Sequence, residues 1–295
     1  DSNSGTSIGA PWATLHFAAG HVGPGDVVRV RAGTVAGLEL TTSGSSDSPI
    51  TFSAYSGEEP MIAADGPAAG VGINLEAASH IVIEGFRVHQ RSSYGIRAVV
   101  GSNVVLRNNR LTQSGQSGIL VAYLDDALVE GNIIDGPGIA AGILALDESS
   151  NLTVRRNWVT DHNGGINFIG DSSIGGTGLF IGTLIEDNIV DLTGRLTGAG
   201  LSLWGVQNAL VRNNLLFGLP RYGITLGTGL AGGASTGNRL LNNTVVVLAG
   251  GQWALYAGEA ATGTVLHNNI LLNDSTRGSI AMESDSLPGL DSDRN

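Results

Sequence analysis

Apolar and polar residues alternate along most of this chain, in short runs that return at a nearly constant distance. Gly95-Ile96 is followed by Val104-Val105-Leu106-Arg107-Asn108-Asn109, and Gly118-Ile119 by Ala127-Leu128-Val129-Glu130-Gly131-Asn132. The glycine and the closing asparagine are 14 residues apart in both copies, and the copies are offset by 23. The aliphatic position continues as Ile73, Ile96, Ile119, Ile143, Ile166, Leu201 and Ile224, in steps of 23, 23, 24, 23, 35 and 23. The asparagine recurs as Asn109, Asn132, Asn157, Asn188, Asn214, Asn243 and Asn269.

A period of two is the period of a strand. A unit of three short strands cannot bury its inner face alone, so the copies must stack. Stacking equivalent positions at the strand spacing of ~4.8 Å predicts an all-β, right-handed parallel β-helix of about ten coils. Residues 1–295 then form a single solenoid domain. A β-sandwich with Gly/Asn turns does not explain the fixed step. The asparagine is expected to make the sharp turn, because it tolerates the left-handed backbone, and stacked amides can hydrogen-bond along the axis.

Register exposes a second pattern. Glu84, Arg107, Glu130, Arg155, Glu186 and Arg212 occupy one place on successive rungs, with alternating sign. Opposite charges on adjacent strands are favourable, so this row reads as a structural charge ladder.

The ends depart from the repeat. Trp12, Leu15, His16 and Ala19 have helical spacing within Pro11 to Val22, with the proline near the start. A capping helix is expected there, ahead of the entry strand, with residues 1–36 as the N-terminal cap. The tail Gly289-Leu290-Asp291-Ser292-Asp293-Arg294-Asn295 shows no cap, and the abrupt start suggests a mature or trimmed chain; the C-terminus reads as truncated or covered by a partner. Two Gly-rich insertions, between Asp171 and Leu179 and between Gly227 and Asn238, are candidates for the functional side.

Composition narrows the chemistry. Net charge is −11, which argues against nucleic acid as a partner. All fifteen basic residues are Arg. There is no Cys, hence no disulfide framework and no Cys-based metal site. No apolar run reaches transmembrane length.

The N-terminal series Asp1-Ser2-Asn3-Ser4-Gly5-Thr6, Pro11-Trp12-Ala13-Thr14-Leu15, Pro24-Gly25-Asp26-Val27-Val28 and Arg31-Ala32-Gly33-Thr34 continues in Pro49-Ile50-Thr51-Phe52 and Tyr55-Ser56-Gly57-Glu58-Glu59-Pro60. With the Asn-ended rungs it resembles secreted right-handed parallel β-helix proteins of the pectate-lyase-like superfamily. That resemblance implies export or a cell-surface location and a polysaccharide partner, often a uronate polymer cleaved by β-elimination. Several related lyases use a Lys base with Ca²⁺ held by carboxylates. This chain has no Lys. Other members use an Arg base, hydrolase members use three Asp, and neither motif is complete here.

Candidate sites follow from the first strand of each rung. With Ile96 pointing in, Asn74, Arg97, Leu120, Leu144, Asn167, Ser202 and Thr225 point out, as do Glu76, Val99, Ala122, Leu146, Ile169 and Trp204. The middle of that face is apolar, which suggests a homo-oligomer interface or a cover, or a platform for sugars ending in Trp204. The turn after the strand carries Asp125, Asp126, Asp147, Glu148 and Asp171, a set suited to Ca²⁺ or to acid/base work. The turn before it carries Arg91, Asp161, His162, Arg195 and Arg221. Arg195 and Arg221 are expected to clamp a uronate carboxylate, and Asn167 and Trp204 to bind substrate. His162, flanked by Asp161, or Arg97 would act as base. Two functions remain open: a uronate polysaccharide lyase, or a non-catalytic β-helix that binds glycan or packs into an assembly.

Overall fold

The computed structural model describes residues 1–63, 68–89 and 92–295, and they form a parallel β-solenoid. Arg91 lies outside the described residues. Among those described, sheet I has eleven strands, from Val27–Val30 to Asp291–Asp293, and sheet II has ten, from Thr34–Val35 to Ile270–Asn273. Sheet III has ten, from Leu38–Leu40 to Ile280–Met282. Each rung contributes one strand to each sheet, and every strand pairing within the three is parallel. A small fourth sheet, Ser149–Ser150, Phe180–Ile181 and Val206–Gln207, appears only on the middle rungs.

The repeat is vertical, as its spacing requires. Ile73, Ile96, Ile119, Ile143, Ile166, Leu201 and Ile224 are direct neighbours on successive rungs of sheet III, all fully buried. The column runs on to Leu255 and Ile280. Phe52, Phe86, Phe168 and Phe180 fill the wider parts of the core, the last two edge to face at 5.2 Å.

The asparagines form a buried ladder, but they do not take the left-handed conformation expected of them. That falls on the residue before each one: Asn108, Gly131, Arg156, Asp187, Asn213, Asn242 and Asn268 all have positive φ. The sharp bend at that residue turns the next side chain inward. Asn188 shows the result. Its Oδ1 accepts from the backbone N–H and the side-chain amide of Asn157, both at 3.0 Å. Its Nδ2 donates to the Val154 carbonyl and to Asn214 Oδ1. The same pattern runs from Asn109 to Asn269 and on to Asn295. Buried amides must be satisfied, and each rung satisfies the one beneath it.

The charge ladder is present and resolves into pairs. Arg107 bonds Glu84 at 2.5 Å, Arg155 bonds Glu130 at 2.9 Å, and Arg212 bonds Glu186 at 2.6 Å. The capping helix is shorter than its spacing suggests, Leu15–Ala19, because Thr14 takes the N-cap and its hydroxyl accepts from the Phe17 N–H at 3.1 Å. Trp12 precedes the helix and packs edge-on against Phe17. Among the described residues no helix is long and apolar enough to cross a membrane.

Candidate functional site

Sheet III carries its outward side chains in two columns. One runs Asn74, Arg97, Leu120, Leu144, Asn167, Ser202, Thr225 and Tyr256; the other runs Glu76, Val99, Ala122, Leu146, Ile169 and Trp204. The middle rungs present less apolar surface than the sequence suggests. Strands ~4.8 Å apart pack their side chains together, leaving Leu120 only 5% exposed and Ala122 3%. The more exposed apolar row lies on sheet II, where Trp158, Ile189 and Leu215 stack on consecutive rungs.

The far rungs of sheet III are different. Tyr222, Trp253 and Tyr256 form one aromatic cluster, with ring centroids 5.7 to 6.2 Å apart. The Arg221 guanidinium lies over Tyr222 at 5.3 Å and that of Arg277 over Trp253 at 4.7 Å. Most described arginines are ion-paired; Arg29, Arg221, Arg239 and Arg277 have no carboxylate partner and are exposed, and of these Arg221 and Arg277 are the two stacked on the cluster. The Tyr222 hydroxyl donates to Gln252 at 2.7 Å, and that of Tyr256 donates to Glu283. The Glu283 carboxylate holds the Tyr256 hydroxyl protonated, pushing it up to about 12. Trp204, 38% exposed, sits one rung away beside Gly227. A Cβ at Gly227 would stand 3.5 Å from the indole and 3.1 Å from Glu259 Oε2, so the glycine leaves the ring resting on bare backbone.

A wall rises along one margin of this face. The two insertions meet there: the Ser172 N–H donates to the Leu230 carbonyl at 3.3 Å, and the Ser172 hydroxyl bonds the Ala231 carbonyl. Close backbone approach requires glycine, since a Cβ at Gly170 would fall 1.9 Å from the Gly178 carbonyl oxygen.

The residues singled out from sequence are distributed unevenly over this frame. Arg221 lies at the aromatic cluster, whereas Trp204 lies on the preceding rung beside Gly227, five residues along the strand from Tyr222. Asn167 lies two rungs before Thr225 on the same column, and its Oδ1 is buried without a partner, as is Thr225 Oγ1. Asp161, His162 and Arg195 are brought together, but not as groove groups. Arg195 donates to Asp161 at 3.0 Å and to Asn163, so its guanidinium is already engaged. His162 is not on a surface turn. It lies within the strand His162–Gly170, 1% exposed, its Nδ1 against the Thr160 carbonyl and its Nε2 packed over Gly138. Burial pulls its pKa below the ordinary imidazole value. A ring so enclosed cannot reach a sugar as base. Arg97 bonds Asn74 and Glu76 and stands six rungs before Tyr256, about 29 Å along the axis at strand spacing. It cannot act on a sugar held by Arg221.

The acidic turn is tied to the next rung. Asp125 accepts from the Ser150 N–H and hydroxyl, and Asp126 accepts from Asn151. Asp147 is pushed up by burial and by Asp171 and Glu148. Glu148 is pulled down by the N–H and hydroxyl of Thr177. Among the described residues no group of three or more His, Asp or Glu is placed to hold a metal ion, so Asp125, Asp126 and Asp147 do not converge.

Tyr222, Trp253, Tyr256 and Arg277 were not reached by the sequence reasoning, although the repeat contains the signal. Two further steps, of 31 and 25 residues, carry the column from Ile224 to Leu255 and Ile280. Replacement of the usual glycine by Ala254 hides the first of these rungs.

Architecture and register place the molecule among right-handed parallel β-helices, and comparison with known proteins agrees. A family model described as right handed beta helix region matches residues 58–181. The chain belongs to the family described as periplasmic copper-binding protein (NosD), whose model matches residues 138–286. No curated protein matches it in sequence. Among solved structures it is similar to an alginate lyase from Paenibacillus sp. str. FPU-7, with 15% identity and a TM-score of 0.72 over 94% of this chain and 96% of that one. It is also similar to the GH136 lacto-N-biosidase from Eubacterium ramulus, with 13% identity and a TM-score of 0.67 over 98% of this chain and 63% of that one. A third is the PL6 family polysaccharide lyase Pedsa3628 from Pseudopedobacter saltans, with 15% identity and a TM-score of 0.59 over 92% and 76%. At such identities the likeness is one of fold.

The family description raises copper. Copper favours thiolate, thioether and imidazole ligands. This chain has no Cys and two Met, Met61 near the first rung and Met282 near the last, and its described acidic and His residues form no metal cluster. These residues do not fit a copper centre.

Proposed function

We propose that the protein is an exported, polysaccharide-active β-helix that holds a uronate-containing glycan across the far rungs of sheet III. The observation that carries this reading is the cluster of Tyr222, Trp253 and Tyr256 with Arg221 and Arg277 stacked on it. Aromatic faces suit the C–H faces of sugar rings. Two guanidiniums without carboxylate partners, in a chain of net charge −11, suit sugar carboxylates. Similarity of fold to polysaccharide lyases and a glycosidase supports a carbohydrate partner.

The reaction this arrangement serves best is β-elimination. Neutralising the uronate carboxylate acidifies the α-proton, the Glu283 carboxylate at the cluster is the group to take that proton, and Tyr256, kept protonated beside it, is suited to give a proton to the leaving oxygen. A second reading, glycan binding without cleavage, is favoured by one observation: neither His162 nor Arg97 is available as base at this cluster. Calcium bound by neighbouring carboxylates stays an arm of the test. Incubation with pectate, alginate and glycosaminoglycans, with and without Ca²⁺, should raise unsaturated-uronate absorbance on at least one polymer. Binding without absorbance establishes the second reading, and neither binding nor absorbance on any polymer overturns both.

A further inference from the structure

A cavity of about 260 Å³ lies on the turn side of the middle rungs, lined by Tyr123, Asp125, Glu148, Ser150, Leu179 and Ile181 among others. It occurs where the solenoid departs from its repeat, at the extra strands Ser149–Ser150 and Phe180–Ile181 and under the first insertion. Glu148 anchors that insertion: its Oε2 accepts from the Thr177 hydroxyl at 2.8 Å, the Thr177 N–H, and the Gly178 N–H at 3.2 Å. Asp125 Oδ1 is held by Ser150. Both carboxylates are therefore fixed through one oxygen, and their other oxygens, Glu148 Oε1 and Asp125 Oδ2, carry no hydrogen bond. The Tyr123 hydroxyl also has no partner, and burial together with Asp147, Glu148 and Asp171 keeps it protonated.

We infer that this cavity is a second carbohydrate site, for a single neutral pyranose. Its volume falls below the ~300 Å³ at which pockets begin to take drug-sized ligands, so it holds one ring and not a chain. Tyr123, Leu179 and Ile181 supply apolar wall for a ring face, and two immobilised carboxylate oxygens accept from sugar hydroxyls. The same carboxylates repel a uronate. A divalent cation needs more converging oxygens than two carboxylates give, and among the described residues no third acidic group is placed with these two to hold a metal ion. The site stands apart from the aromatic cluster and does not depend on it.

Saturation-transfer NMR with glucose, galactose, xylose and galacturonate, each alone, tests the inference. At least one neutral sugar should receive transfer, and its affinity should fall about fivefold or more in Tyr123→Ala and in Asp125→Asn. Galacturonate transfer should be unaffected by either change. Tyr123→Phe, which keeps the ring, should retain most of the neutral-sugar signal if the variants remain folded by circular dichroism. Trp253→Ala should leave that signal unchanged, which separates failure here from failure of the uronate reading. Transfer to no neutral sugar, transfer insensitive to both variants, or a thermal shift with Ca²⁺ alone that Asp125→Asn abolishes would each overturn it.

Discussion

Two polar rows run along this solenoid, and they differ in how completely they are satisfied. In the asparagine ladder each amide is buried and bonded to the rungs on either side. On the far rungs of sheet III, Tyr222, Trp253 and Tyr256 leave ring faces partly exposed, and Arg221 and Arg277, stacked on them, lack carboxylates. The first row spends its polarity on the fold. The second keeps aromatic faces and positive charge for something outside the chain, so exposed charge stacked on aromatic rings is a better guide to function here than polarity itself.

The contrast can be broken at either row. The largest effect is expected from Asn188→Ala, which strands the Asn157 amide donors and the Val154 carbonyl and should cost about 2–4 kcal/mol of stability. A fall in melting temperature, with faster hydrogen exchange on the flanking rungs, would show it; an unchanged melt would mean that the ladder is decorative. Next is Trp253→Ala, expected to weaken uronate-glycan binding about tenfold while leaving the melt within a degree or two of wild type. Loss of stability in place of binding would move this cluster into the structural class.

A smaller effect concerns His162. Burial lowers its folded pKa, so the unfolded chain binds the extra proton first, and stability should decline as pH falls below about 6.5 toward the folded value. His162→Gln should flatten the melting curve's dependence on pH between about 7 and 5, and an unaltered slope would show that the ring does not titrate on unfolding. The smallest effect is expected from Arg107→Ala on the charge ladder, about 1 kcal/mol or less, because its pair with Glu84 is partly solvated. A cost comparable with that of Asn188→Ala would mean that the ladder does more than set register.

The fold was legible because stacking turns one residue type at a fixed step into a column. Ile96 over Ile73 and Arg107 over Glu84 follow from counting alone. The site was legible only in part. Arg221 sits where register puts it, beside the aromatic cluster, and Trp204 faces out one rung earlier beside Gly227. His162 was misplaced because the strand it opens starts earlier than its glycine suggests, which draws the ring inside. Arg195 looked free because its partners, Asp161 and Asn163, belong to the preceding rung, 34 and 32 residues away. Tyr256 was missed because its rung lacks the glycine that marks the others. Spacing reports what a rung shares with its neighbours, whereas a binding face is built where rungs differ.

The central claim is that the Tyr222–Trp253–Tyr256 cluster and its two arginines hold a uronate glycan. Calorimetric titration of uronate oligosaccharide into wild type, Arg221→Ala and Trp253→Ala tests it most directly. Saturable binding by wild type, weakened about tenfold in both variants with melting unchanged, is the predicted result. No binding by wild type, or equal affinity in all three proteins, would contradict it.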